Sequence, residues 1–231
     1  MKHKLAVVVL SSLFSSSAFA LDISVTMTNL SHGSHFTPLL FAAHDASQHM
    51  FQEGVTASAS LQAMAEGGDI SLLSTDMMAI GADLAANPAA GLMMPGQSVQ
   101  FTMTTQDANT QLSAVAMVLP TNDGFVGIDS IALPTTAGRY EYYLNAYDAG
   151  TEVNDEIING AGSPGTPGIP ADPLGAGGAN ASGVAIAESN QTIHVHRGVL
   201  GDIDPAGGVS DLDSRVHRWL NPIAHLIIDV Q

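Results

Sequence analysis

The sequence contains no cysteine. That excludes disulfides, thiolate catalysis, Cys-type zinc sites and iron–sulfur clusters. Basic residues are nearly missing as well. Both lysines fall within the first four residues, and beyond them four arginines (Arg139, Arg197, Arg215, Arg218) face 22 acidic residues. Without residues 1–20 the formal charge is −18, a surface that repels nucleic acid and anionic membranes and attracts divalent cations. Aromatics make up only 5% of the chain, with a single tryptophan. Past the first twenty residues no apolar run is long enough for a transmembrane helix, so no membrane insertion is expected.

Lys2 and Lys4, the apolar stretch Leu5 to Leu10 and the A-x-A sequence Ala18-Phe19-Ala20 together read as a secretory signal peptide over 1–20. The mature chain is expected to start at Leu21 and to be secreted, periplasmic or extracellular. Residues 21–231 suffice for one β-rich domain with a real core. Without disulfides, its stability has to come from that core and from any metal it binds.

Asp22 to Asn29 alternates, with Ile23, Val25 and Met27 on one face and Ser24, Thr26 and Thr28 on the other, as a half-buried strand does. Gln97 to Thr105 repeats the pattern through Val99, Phe101 and Met103. Ala59 to Glu66 and Leu72 to Ala86, rich in Ala, Leu and Met, read as two short helices, the second ended by Asn87-Pro88. Ala114 to Leu119 and Arg139 to Tyr147 read as strands stopped by Pro120 and by Asp148-Ala149-Gly150. Residues 159–183, dense in Gly, Pro and Ala, read as an irregular loop. Val184 to Ala187, Thr192 to His196, Val216 to Leu220 and Ile223 to Val230 are expected as further strands. The sum is an all-β fold, an antiparallel sandwich with two short helical insertions.

The loops between the central strands concentrate Asp123, Asp129, Asp148, Glu152 and Asp155 at expected strand ends. Calcium takes six to eight hard oxygens from carboxylates, carbonyls and water. Asp148 and Glu152 stand four apart across a glycine turn, so both can bend toward one point. The same residues also suit ordinary solvated turns, which favour Asp and Asn. Three other constellations compete. His194 and His196, on one face of a strand, could hold zinc or copper with His44 or His49. Asp202, Asp204, Asp211 and Asp213 form two D-x-D pairs without EF-hand spacing. Asp45 beside His44 invites a catalytic triad, but no G-x-S-x-G elbow exists. The ten methionines and Trp219 read as core.

Three segments, Met117-Val118-Leu119-Pro120, Asp123-Gly124-Phe125-Val126-Gly127 and Tyr147-Asp148-Ala149-Gly150-Thr151, resemble the spondin N-terminal domain family. The opening I-S-V-T-M-T-N-L, the H-F-T-P-L-L…A-A-H-D segment and I-H-V-H-R-G-V near the end are similar to secreted bacterial members. The resemblance implies a C2-like β-sandwich with a calcium site at one edge. It also implies Asp123, Asp148 and Glu152 as Ca2+ ligands, the last standing where the family has Asp. The function implied is a non-enzymatic recognition or adhesion module of the cell surface or extracellular matrix, whose partner is an extracellular protein or glycan. The alternatives are a metal-dependent or carboxylate hydrolase on the same sandwich, or a structural subunit of a surface polymer.

Overall fold

The computed structural model describes residues 20–175, 177–184, 187–204 and 206–231. The signal peptide expected over 1–20 lies outside the described residues except for Ala20. In chain order the elements are β1 (Leu21–Asn29), β2 (His35–Phe36), β3 (Leu40–His44), α1 (Ala59–Gly67) and α2 (Ser71–Ala79). They continue with β4 (Asp83–Ala86), β5 (Ser98–Thr105), β6 (Gln111–Leu119), β7 (Gly124–Ala132), β8 (Gly138–Asp148), β9 (His194–Val195) and β10 (Ala224–Val230). The strands form one antiparallel sheet in the order β4-β3-β6-β7-β8-β10-β1-β5, with β2 added on β6 and β9 on β8. The two ends of this order, β4 and β5, approach each other, so the sheet rolls into a nearly closed sandwich.

Rolling creates two apolar layers. Ile23, Val25 and Met27 of β1 meet Ala114, Ala116 and Val118 of β6 and Leu226 and Ile228 of β10 inside the roll. Outside it, Val115 and Met117 of β6, Leu40 of β3 and Phe125 of β7 pack under Leu61 and Met64 of α1 and Leu73 and Met77 of α2. β6 is therefore covered on both faces, which is why it reads as an unbroken apolar run. β1 and β5 have a wet outer face and alternate, with Thr28 bonded to Ser98 and Thr104 to Asp22 across it.

Helix α1 begins where the Ser58 hydroxyl accepts from the Leu61 N–H and ends at Gly68, which takes the left-handed conformation at φ 71°. The helix expected over Leu72 to Ala86 is really two elements. It breaks at Gly81, and Asp83–Ala86 pairs with Ala43–Leu40 of β3. The Ala-rich composition favours a helix locally, but pairing with a sheet edge prevails.

β7 was not expected. The segment starting at Gly124, read as loop, pairs with both β6 and β8. Asp129 consequently sits inside a strand and not at a strand end. In the C-terminal third, Val216 to Leu220 is irregular and not a strand, and Leu220 is 82% exposed. Val184 and Ala187 carry no strand, and Ala185 and Ile186 lie outside the described residues. The strand expected over Thr192 to His196 shrinks to two residues. Its faces also differ from the alternation, because Val195 is exposed while His196 is buried.

Candidate functional site

The site lies where β7 begins, β8 ends and β9 pairs with that end of β8. Gly124 pairs with Asp148, and Asp148 pairs with His194, so three neighbouring strands meet in one row. The Thr121 hydroxyl accepts from the Gly124 N–H and closes the turn that presents Asp123. Gly150, at φ 70°, turns the chain back after Asp148, and a Cβ there would come within 2.7 Å of the Gln191–Thr192 backbone. Only glycine permits so close an approach in the left-handed region.

Asp123 is fully buried. Its Oδ2 accepts from the Thr151 N–H (2.8 Å), the Thr151 hydroxyl (3.1 Å) and the Glu152 N–H (3.1 Å). Its Oδ1 has no partner. Asp148 is buried as well, its Oδ1 accepting from the Gly150 N–H and its Oδ2 from the Asn154 amide at 2.6 Å. Burial, and next the charge of Asp148, push the Asp123 carboxyl up to about 7.

Glu152 behaves differently. Its N–H caps Asp123, while its Oε2 accepts from the Gly168 N–H (2.9 Å) and the Asn122 amide (3.5 Å). Its Oε1 is buried without a partner. Burial raises this carboxyl to about 7, with the charges of Glu66 and then Asp123 adding to the rise. Glu66, on α1, is itself held by Gln62 and the Gly165 N–H. Of the three expected ligands, Asp123 and Asp148 are thus neighbours, while the Glu152 carboxylate turns toward the Gly/Pro-rich loop. A cleft of ≈ 210 Å³ opens beside them, with Glu152, Asp155 and Glu188 on its walls.

Among the described residues, no three His, Asp or Glu side chains already close around a common point as a finished metal site does. The donor set nevertheless fits a hard cation. Two buried carboxylate oxygens, Asp123 Oδ1 and Glu152 Oε1, lack any donor, and burying charge unpaired is costly. Calcium also takes carbonyl and water oxygens, so it needs few side chains in place beforehand.

Sequence reasoning missed the amides that organise these acids. Asn122 donates to Asp155 as well as to Glu152, and Asn154 donates to both Asp148 and Glu188. The signal that could have found them is adjacency: each asparagine stands immediately before an aspartate, Asp123 and Asp155, in this same cluster.

The competing constellations come apart in three dimensions. The Asp202 carboxylate accepts from the backbone N–H groups of Asp204, Val209 and Ser210, and Asp211 from those of Ile158, Ala179 and Ala181. Asp213 pairs with Arg215, so these acids brace the loop. His44 is buried against the Ser113 hydroxyl, and Asp45 bonds its own turn at Ser47. His49 pairs with Asp129 at 2.6 Å, away from the β9 histidines. Ser130 also approaches that same His49 nitrogen, Nδ1, so no Ser–His–Asp relay is formed there.

Fold and loop edge together define an all-β sandwich module with its buried carboxylates gathered at one end of the central strands. The Spondin_N family model matches residues 7–160, and the chain belongs to the spondin N-terminal domain family. The match takes in β1 to β8 with Asp123, Asp148 and Glu152. The I-H-V-H-R-G-V segment lies beyond it. No curated protein matches the chain.

Proposed function

We propose that this protein is an extracellular recognition or adhesion module whose loop edge is stiffened by Ca2+, with Asp123 and Asp148 as the principal side-chain ligands. Family membership supports the recognition-module class, and no helix among the described residues is long and apolar enough to cross a membrane. The calcium assignment rests on one observation, the fully buried Asp123 carboxylate whose Oδ1 has no partner beside the buried Asp148. Glu152 completes the set by turning from the Gly168 N–H toward Asp123, whose carboxylate its own N–H already caps. The partner is an extracellular protein or glycan bound at the stiffened edge, and the module has no catalytic role of its own. Export to the periplasm or medium follows from the signal-like first twenty residues.

Calorimetry on two variants tests the ligand assignment. Asp148→Ala is expected to abolish calcium binding. Asp123→Asn should abolish it too and raise the melting temperature of the chelated protein, since a neutral amide removes the buried repulsion and can donate to Asp148. Retained calcium affinity in both variants overturns the assignment.

A further inference from the structure

The outer layer carries a cleft that the calcium edge does not use. A volume of ≈ 390 Å³ opens beside the segment from His49 to Glu53, with Phe51, Ile128, Asp129 and Tyr147 on its walls. The Phe51 ring lies 5.0 Å from both Phe125 and Tyr147, which pair across β7 and β8. The cleft thus borders the same strand ends that carry Asp123 and Asp148. A smaller cleft of ≈ 150 Å³ shares His49, Phe51 and Gln52 and adds Val55, Leu61 and Ile193.

The wall of the larger cleft is held in place before any ligand arrives. Asp129 Oδ1 accepts from the N–H groups of Met50 (2.7 Å) and Phe51 (3.2 Å), and its Oδ2 lies 2.6 Å from His49 Nδ1. A carboxylate can only accept, so Nδ1 carries a proton and the lone pair of the neutral ring falls on Nε2. The His49 side chain is 38% exposed, and among the described residues no donor meets that lone pair. Glu53 is exposed. Burial and then the charge of Glu53 push the Tyr147 hydroxyl up to about 12, which sets Glu53 at the tyrosine end of the cleft. Lysine is absent past Lys4, and no arginine lines either cleft. The rim therefore offers acceptors and negative charge above an apolar floor, with no cation to answer them.

We propose that this cleft docks a lysine or arginine side chain displayed on a partner protein. The aliphatic stem packs on Phe51, Ile128 and Tyr147, and the cationic head lies between the Glu53 carboxylate and His49 Nε2. Long basic side chains have this division into an apolar stem and a charged tip. A neutral glycan has no charge to answer Glu53, and an anionic one is repelled by a chain with 22 acidic residues against four arginines past residue 20. The smaller cleft, with Val55, Leu61 and Ile193, gives an apolar residue next to the basic one a place on the same wall. The proposal rests on the reading of the chain as a recognition module, names the chemistry of its partner and needs no metal.

The probe is a blocked heptapeptide with a central lysine between two leucines and glycines at both ends, together with its arginine counterpart. Each is titrated into the purified protein in chelator and in Ca2+, followed by amide NMR shifts, beside the same peptide carrying Nε-acetyl-lysine. Saturable shifts are expected at residues 49–53, 128–129 and 147, with affinity about fivefold or more weaker for the acetylated form. Glu53→Lys should abolish binding. Asp107→Lys changes the charge equally at an exposed turn outside the cleft and should retain it. Thermal melts show that both variants fold. No saturable binding of either basic peptide, equal affinity for the acetylated form, or equal loss in the two variants overturns the proposal. Peptide binding that depends on Glu53 without any binding of Ca2+ removes the calcium reading and leaves this one standing. Calcium binding without peptide binding removes only this one.

Discussion

Asp123 and Glu152 each end in a buried carboxylate with one oxygen unanswered, and both carboxyls are raised to about 7 chiefly by burial. A raised folded-state pKa means that the folded chain holds protons the unfolded chain has released. Stability from these two groups is complete below about pH 4 and is lost as pH rises through about 7. His196 works in the opposite direction: burial lowers it to about 4, so its contribution is lost as pH falls below its unfolded value of 6.5. In chelator, the melting temperature of Asp123→Asn is therefore predicted to fall less than that of the parent between pH 5 and 8, and that of His196→Gln to fall more. Parallel melting curves for parent and Asp123→Asn would contradict the first. The pairing of Asp148 with Glu152 was legible in sequence because a glycine turn stands between residues four apart, while the set of three with Asp123 came from the family resemblance. The outward turn of Glu152 was not legible, since it depends on Gly168, sixteen residues away. Asp129 was misplaced for a similar reason. It accepts from His49, Met50, Phe51, Ser113 and Ser130, all but Ser130 distant in sequence. Hydrogen bonds to a charged group contribute about 1.5–3 kcal/mol each, so Asp129→Ala is predicted to cost about 3 kcal/mol or more in urea unfolding.

Elements whose two faces differ were readable from period alone. β1 and β5 alternate because one side is wet, and α1 carries its own serine cap and glycine stop. Elements decided by a distant partner were not. β4 is a strand because β3 offers an edge, and β7 because β6 and β8 flank it. β7 also contains Ser130 at φ 52° in a bulge where Asp129 and Ser130 oppose Ser113 of β6, an irregularity that interrupts any clean alternation. The histidine strand failed at its far end, where Trp219 and the Ala146 carbonyl hold His196 inward. Gly150 couples the ends of β8 and β9 through backbone contact, and a Cβ there meets main-chain atoms that cannot swing aside. Gly150→Ala is thus predicted to destabilise the fold by about 1–3 kcal/mol and to weaken calcium binding with it. Thermal melts and calorimetry on one preparation check both effects. An unchanged melting temperature would mean that the 148–152 turn has more freedom than its geometry implies.

For the molecule as a whole, four arginines against 22 acidic residues leave little internal charge compensation beyond residue 20. Arg139, Arg197 and Arg215 already pair with Asp229, Glu188 and Asp213. Among the described residues no arginine forms a salt bridge with Asp123 or Asp148, and the proposed Ca2+ would supply the counter-charge there. The most direct test is a thermal melt of the purified protein in chelator and in saturating Ca2+, paired with a calcium titration by calorimetry. Saturable heat is predicted, with a rise in melting temperature that grows with calcium and reaches the equivalent of about 2.7 kcal/mol at a hundred times the Kd. No heat and no shift at millimolar calcium would contradict the calcium-stiffened edge.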